Sequence, residues 1–246
     1  MKIGIIGAGA IGSVLARKFS ANGHKVVIAN SKGPETISND TLVFGAKAGV
    51  TKDAVSDTDV LIISIPFVQI TAIAETVKNH LSTNTIIIDT GNYYPVRDGE
   101  IDEIIKGKPE STWVAEQLGK PVAKAWNIIP ASMLKNNGYP SGMESRLAVP
   151  FFAESEHEEK IVLQLIEETG FDPLYAGNLS ESYRIQPGQP SYSTALTLKE
   201  LQIALENSHT SAIAAANRDQ FMKVMTSLAW PEDVNSLVEI SRFLNK

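Results

Sequence analysis

Cysteine is absent from the 246 residues, which excludes a disulfide framework, a thiolate nucleophile, a zinc–thiolate site and a cysteine-ligated iron–sulfur cluster. No metal site is expected. Long hydrophobic runs are also wanting. The longest, residues 61–68, is far shorter than a membrane span and contains Pro66. An earlier run, residues 2–7, is too short and too interrupted by glycine for a signal peptide, and no small-residue cleavage site follows it. These shortfalls predict a soluble, cytoplasmic protein. Basic charge is in deficit: 22 lysines and arginines face 28 acidic residues, a formal net charge of −6. Nucleic acid and membrane are therefore not expected as partners. A small anion is a different matter, because backbone N–H groups can bind one without a basic side chain.

What is present points to a developed core. Apolar residues make up 43% of the chain and charged residues 20%, which argues against disorder. Short β-branched runs alternate with helical periodicity. Strands are expected over residues 3–6, 25–30, 60–64, 85–89, 122–127, 146–152 and 172–176. Helices are expected over 10–22, 110–118 and 155–169, with one after Pro66 that places Ile70, Ile73, Val77 and Leu81 at core spacing. Gly23 stands where a helix end takes a left-handed residue. The strands are apolar without alternation, the pattern of a parallel sheet covered on both faces. From about Asn178 the strand signals stop, residues 186–190 form a proline-bearing connection, and the remainder reads as helices. The expectation is a doubly wound α/β unit, residues 1–178, followed by a helical C-terminal portion, residues 179–246.

The first strand-to-helix turn carries a fingerprint. Gly7, Gly9 and Gly12 stand in the dinucleotide-binding spacing, with Ala10 and Ile11 between the last two. The first glycine allows a tight turn, the second lets the backbone approach a diphosphate, and the third lets helix and strand touch. The context supports a nucleotide, since the motif follows a strand, opens a helix and leads to a second strand. That second strand ends in Asn30, Ser31 and Lys32. A carboxylate at this place binds a free ribose 2′-hydroxyl. Here a hydroxyl and a cation stand instead, which suits a 2′-phosphate and favours NADP over NAD. A solvated turn is the plainer alternative, because lysine is common on surfaces.

Five segments in order give a resemblance: Gly7 to Gly12; Asn30-Ser31-Lys32; the run from Ile63 through Ser64, Ile65 and Pro66 to Phe67; Ala123 to Ala131; and Asp172 to Ser180. On these the chain resembles the coenzyme F420-dependent NADP oxidoreductases, a family that includes the cytoplasmic reductase domain of the six-transmembrane metalloreductases. The resemblance implies a Rossmann-type, mostly parallel sheet and hydride transfer between NADPH and a ring-type acceptor such as the deazaflavin coenzyme F420 or a flavin. It also implies that NADP lies on the glycine turn, with Ser31 and Lys32 on the 2′-phosphate. Ser64, Ile65 and Pro66 would then flank the adenosine or ribose side. The strand ending at Asn127, continued by Ile129 and Pro130, would reach the nicotinamide and the acceptor. The archaeal pattern has histidine where this chain has Asn127, and residues 186–190 interrupt the usual continuation. A homodimer is expected on the same resemblance.

Hydride transfer makes modest demands on the protein, because the cofactor carries the chemistry and an acid or base need not exist. No side chain is assigned as catalytic. His24, His80, His157 and His209 all read as surface or packing residues. Tyr93 and Tyr94 follow the strand ending at Asp89, at the edge where ligands bind, and either could stack on a ring or donate a proton; packing on the C-terminal helices is the alternative. Lys199 tests a hydroxyacid dehydrogenase-like reading, in which a helical lysine acts with an asparagine one turn later, but Ile203 occupies that place. A third reading is a non-catalytic NADPH sensor. It would act through Trp230 and Pro231 and the apolar face Val234, Leu237, Ile240 and Leu244, which could also form a dimer surface.

Overall fold

The computed structural model describes residues 1–227 and 233–245. Trp230 and Pro231 lie outside the described residues. The chain opens with strand β1 (Lys2–Ile6), helix α1 (Ala10–Ala21), strand β2 (Lys25–Ala29), helix α2 (Asn39–Leu42), strand β3 (Lys47–Gly49) and helix α3 (Thr51–Val55). Strand β4 (Val60–Ile63), helix α4 (Ile70–His80) and strand β5 (Ile86–Asp89) follow. Then come helices α5 (Pro95–Asp98), α6 (Asp102–Ile105) and α7 (Glu110–Leu118), strand β6 (Ala123–Lys124) and helix α8 (Ala131–Asn136). Strand β7 (Ala148–Phe151), helix α9 (Glu156–Glu168) and strand β8 (Asp172–Tyr175) complete the α/β part. The C-terminal portion holds α10 (Leu198–Glu206), α11 (Ser211–Ser227) and α12 (Val234–Leu244).

Six strands pair in the order β3-β2-β1-β4-β5-β6, all parallel. The order reverses between β1 and β4, and such a reversal opens a crevice at the carboxyl ends of the strands. Burial on both faces explains the uninterrupted apolar runs: all four residues of β4 and of β5 are buried. One core layer gathers Ile3, Ile5, Ile62 and Ile88 with Val14, Leu15 and Phe19 of α1 and Val162, Leu165 and Ile166 of α9. The opposite layer joins Leu61, Ile63 and Ile87 to Ile70, Ala74 and Val77 of α4 and to Trp113, Val114 and Leu118 of α7. Gly23 has φ +84° and ends α1 as expected.

One expected strand is cut short, two form but pair apart from the main sheet, and one strand is additional. β6 holds two residues rather than six, because Trp126 has φ +57° and turns the chain out of the sheet before Asn127. Trp126 is fully buried there, edge-on to Phe19 at 6.0 Å. The strands expected at 146–152 and 172–176 form a separate parallel pair, β7 with β8. That pair meets the main sheet through one antiparallel bridge, in which Lys124 and Phe152 exchange backbone hydrogen bonds of 2.9 and 3.0 Å. β3, finally, was not anticipated: Lys47, Ala48 and Gly49 lack the β-branched signature and pair with β2 at the sheet edge.

The C-terminal portion packs on this frame. Leu201 and Leu205 of α10 close a third apolar cluster with Ile128, Ala148, Phe152 and Ile185. On α12 the residues Val234, Leu237, Ile240 and Leu244 are each half-buried, and Arg242 donates to the carbonyls of Thr194 and Ala195 at 2.8 and 2.9 Å. Among the described residues no helix is long and apolar enough to cross a membrane, and no group of side chains could hold a metal ion.

Candidate active site

The three glycines of the first turn do different work. Gly7 has φ +111°, and a Cβ there would lie 2.1 Å from the Ser64 carbonyl oxygen. A Cβ on Gly12 would lie 1.9 Å from the Gly7 carbonyl oxygen. Both positions therefore hold β1, β4 and α1 in close contact. Gly9 is exposed, and a Cβ there would meet nothing within 4 Å. It caps α1 with no side-chain hydrogen bond, and the first turn carries no acidic residue. The helix thus presents unpaired N–H donors and a positive dipole end to open space, the local chemistry of an anion site.

A cavity of about 660 Å³ opens here. Of the expected nucleotide residues, Gly7, Gly9, Asn30, Ser31, Lys32, Ser64, Ile65 and Pro66 all line it. Ala10 lines a neighbouring cavity of about 410 Å³ that shares Gly9. Gly12 is buried beneath the turn, and Ile11 packs partly into the core. Lining the larger cavity as well are Thr36, Thr51 and Gln69, which the sequence did not single out, and Ile73, expected in the core and half-buried here. Thr36 had a local signal. It follows Gly33 by three residues and bonds back to the Gly33 carbonyl at 2.8 Å, while Asn30 Nδ2 donates to its hydroxyl at 2.9 Å. Asn30 Oδ1 in turn accepts from the Lys32 N–H at 3.0 Å. These bonds fix the loop that carries Ser31 and Lys32, both exposed.

Further along the carboxyl edge, after β5 and β6, a polar group is buried. Lys124 Nζ lies 2.8 Å from Asp89 Oδ2 and also donates to the Gly91 carbonyl, and Ser111 Oγ donates to Asp89 Oδ2 at 2.7 Å. Lys124 and Asp89 are fully buried. Their pairing ties β5 and β6 together and holds the turn that carries Asn92. Asn127 Nδ2 donates to Asn92 Oδ1 at 3.0 Å and to the Ile185 carbonyl at 2.7 Å. Asn127 Oδ1 is buried without a partner. Ile129 is buried in the core, and Pro130 stands at the start of α8, half-buried.

The two tyrosines after β5 part company. Tyr93 is fully buried, its hydroxyl donating to the Gly99 carbonyl at 2.8 Å and accepting from the Ile101 N–H at 3.0 Å. Its ring packs 5.9 Å from Phe67, and the Arg218 guanidinium of α11 sits 5.7 Å above it. Its ring thus packs beneath a C-terminal helix, and its hydroxyl is engaged by the backbone. Tyr94 is half-buried, and its hydroxyl lies 2.6 Å from that of Tyr192. Burial pushes Tyr94 up to about 12.

A cavity of about 680 Å³ lies between α6, α7 and α11, lined by Tyr93, Glu110, Gln186 and Arg218 among others. Glu110 is buried, accepts from the Tyr93 N–H at 3.1 Å, and is pushed by desolvation up to about 7. Lys199, by contrast, is exposed on the first turn of α10 and lines neither large cavity. Asn207 Nδ2 bonds to the Ile203 carbonyl of its own helix at 2.8 Å. His24 bonds Glu168 at 2.6 Å and the N-terminal amine at 2.9 Å, a packing role as expected.

Residues 2–93 match the sequence model of the family described as NADP oxidoreductase coenzyme F420-dependent. Over 60 residues the chain is 37% identical to YjhV of Escherichia coli (strain K12), a match that takes in 24% of this chain and only 44% of that protein. It is 32% identical to hypothetical protein SMa0349 from Sinorhizobium meliloti, whose crystal structure superposes with a TM-score of 0.65 over 80% of this chain and 95% of that one. A crystal structure from Arthrobacter, described as an F420-dependent NADP-reductase, superposes with a TM-score of 0.59 over 94% of this chain and 96% of its own. At 14% identity that likeness shows the fold alone.

Proposed function

The chain belongs to the family of coenzyme F420-dependent NADP oxidoreductases, and from that membership we propose that it transfers a hydride between the nicotinamide of NADP(H) and a ring-type acceptor, the deazaflavin coenzyme F420, a flavin or a relative of these. The observation that carries the reading is the open space at Gly9, in a turn where the other two glycines are closed by backbone contacts. A diphosphate fits there, against the first turn of α1. Ser31 and Lys32 take the 2′-phosphate, and Ser64, Ile65 and Pro66 flank the ribose.

In this reading the nucleotide supplies the hydride, and the chain binds, orients and keeps water out. Residues 1–178 form the nucleotide unit. Residues 179–246 complete the acceptor side or a dimer surface, with Asn127, Ile129 and Pro130 bordering the acceptor and Tyr93 as packing beneath it. A homodimer working in the cytoplasm belongs to the same reading. Phe243, 75% exposed on α12, gives the C-terminal portion an apolar contact point.

The test has two arms. Calorimetry with NADPH and NADH measures binding, and NADPH oxidation is screened against coenzyme F420, FMN, FAD, quinones and small carbonyl compounds. Saturable NADPH binding with turnover of a ring-type acceptor is expected. A folded protein that takes up neither nucleotide overturns the reading, and NADPH binding without consumption by any acceptor replaces it with a sensor.

A further inference from the structure

We propose that Tyr94 donates the proton that accompanies hydride transfer, to a carbonyl oxygen or ring nitrogen conjugated with the hydride-accepting atom, and that Tyr192 positions it by donating a hydrogen bond to the Tyr94 oxygen. The proposal rests on the hydride-transfer reading above and names the polar group that its acceptor must carry.

Hydrogen counting supplies the first argument. Two phenols bring two hydroxyl hydrogens, and the 2.6 Å contact between Tyr94 and Tyr192 uses one of them. Neither hydroxyl has another bonding partner among the described residues. One O–H is left over in a half-buried pair, where an unused donor is unfavourable without a ligand or water. Tyr93 next door shows the contrast, its hydroxyl being bonded twice to the backbone.

Placement supplies the second argument. Tyr94 leaves the carboxyl end of β5 by way of Asn92, which is bonded to Asn127 beyond β6. Tyr192 reaches the same edge from the C-terminal portion, since the Ser193 N–H donates to the Ile128 carbonyl at 3.1 Å. The pair therefore stands on the edge next to β4, whose end lines the nucleotide cavity.

The surroundings decide which phenol gives up its proton. The Arg97 guanidinium lies 5.4 Å over the Tyr94 ring. The Tyr192 hydrogen bond, Arg97 and Arg218 favour the Tyr94 phenolate, against desolvation and the Glu110 charge. Tyr192 is raised well above its ordinary value by burial, by Tyr94 and by Glu110, with Arg97 opposing. The cation over its ring marks Tyr94 as the phenol that gives up its proton, and both hydroxyls, raised by burial, stay protonated at neutral pH.

The proton step balances. When hydride from the reduced nicotinamide has added to the acceptor, its conjugated oxygen or nitrogen holds an extra electron pair. The Tyr94 O–H bond breaks and a bond from that heteroatom to hydrogen forms. The phenolate, held by Tyr192, regains a proton from solvent.

The experiment uses the full chain with Tyr94→Phe, Tyr192→Phe and the double variant, and with FMN, coenzyme F420 and a cyclic imine as probes. Three readouts are taken: NADPH affinity, equilibrium affinity of each oxidised probe for the NADP-loaded protein, and kcat. Expected for Tyr94→Phe is unchanged NADPH affinity, about tenfold weaker binding of the accepted probe and a fall in kcat of about a hundredfold or more. Tyr192→Phe should lose less, and the double variant should be no worse than Tyr94→Phe, because Tyr192 acts only through Tyr94. Losses that simply add, NADPH affinity that falls along with kcat, or a Tyr94→Phe protein within twofold of the parent would each overturn the proposal. A parent protein that neither binds nor reduces any probe defeats the hydride-transfer reading itself, and this proposal falls with it.

Discussion

A Cβ on Gly12 would sit 1.9 Å from the carbonyl oxygen of Gly7, whereas Gly9, midway between in the same turn, faces open space. One motif therefore contains two kinds of glycine: two closed by packing, and one open, which the proposed function gives to a diphosphate. Gly9 has φ −79° and ψ −167°, a conformation open to alanine. Gly9→Ala should leave the thermal midpoint within about a degree or two while placing a methyl where the proposed function puts the diphosphate, so NADPH affinity falls steeply. Gly12→Ala should instead cost about 1–3 kcal/mol or more, because the backbone must move to relieve the contact. Thermal melts and calorimetry on the two variants separate these effects. Equal destabilisation of both would show that Gly9 is structural too.

The choice of nucleotide is put on Lys32. Its side chain is exposed, and its backbone N–H is held by Asn30 Oδ1 in a loop pinned by Thr36. Lys32→Ala therefore removes a charge without dismantling the loop. A lost charge-assisted bond to a 2′-phosphate should weaken NADPH about tenfold and leave NADH nearly unchanged. Titrations of both coenzymes into both proteins give the answer, and equal losses would remove the 2′-phosphate contact.

Much of this architecture can be read from local sequence, and the rest fails for a physical reason. β1, β2, β4 and β5 are short apolar runs buried on both faces, so composition alone marks them. The glycine turn is legible because three backbone requirements fall within six residues. β3 is not, since an edge strand of Lys47, Ala48 and Gly49 is specified by its partner rather than by propensity. The left-handed Trp126 is equally silent, because burial against α1 imposes a conformation that tryptophan does not prefer. The side given to the acceptor in the proposed function is the least legible. Tyr94 and Tyr192 are 98 positions apart, and Asn127 meets Ile185 across 58. Contacts of that range leave no spacing to detect.

Lys124 and Asp89 form a buried ion pair at 2.8 Å, supported by Ser111 and the Gly91 carbonyl. Replacing one partner leaves the other charge without compensation, at a cost of about 3–5 kcal/mol. Lys124→Met and Asp89→Asn should each lower stability on that scale. Combined, they should lose much less than the sum, since no lone charge remains buried. A urea-denaturation double-mutant cycle measures the coupling, and additive losses would mean that the two charges do not depend on each other.

Glu110 sits 2% exposed beside that pair, and its carboxyl is pushed from 4.5 up to about 7. Desolvation dominates. Lys124, the Tyr93 N–H and Arg218 favour the carboxylate, but Asp89 opposes them, and Lys124 is already paired with Asp89. The sign follows from proton counting. Between pH 4.5 and 7 the unfolded chain releases this proton while the folded chain keeps it, so rising pH favours unfolding. The penalty is absent below 4.5 and complete above about 7, where it amounts to roughly 3 kcal/mol. Glu110→Gln keeps an oxygen for the Tyr93 N–H and carries no proton to lose. The variant should therefore match the parent at pH 4.5 and exceed it in stability at pH 8. Urea unfolding at both values checks this. A stability difference that does not change with pH would place the Glu110 carboxyl in its ordinary range, with solvent reaching it through the cavity it lines.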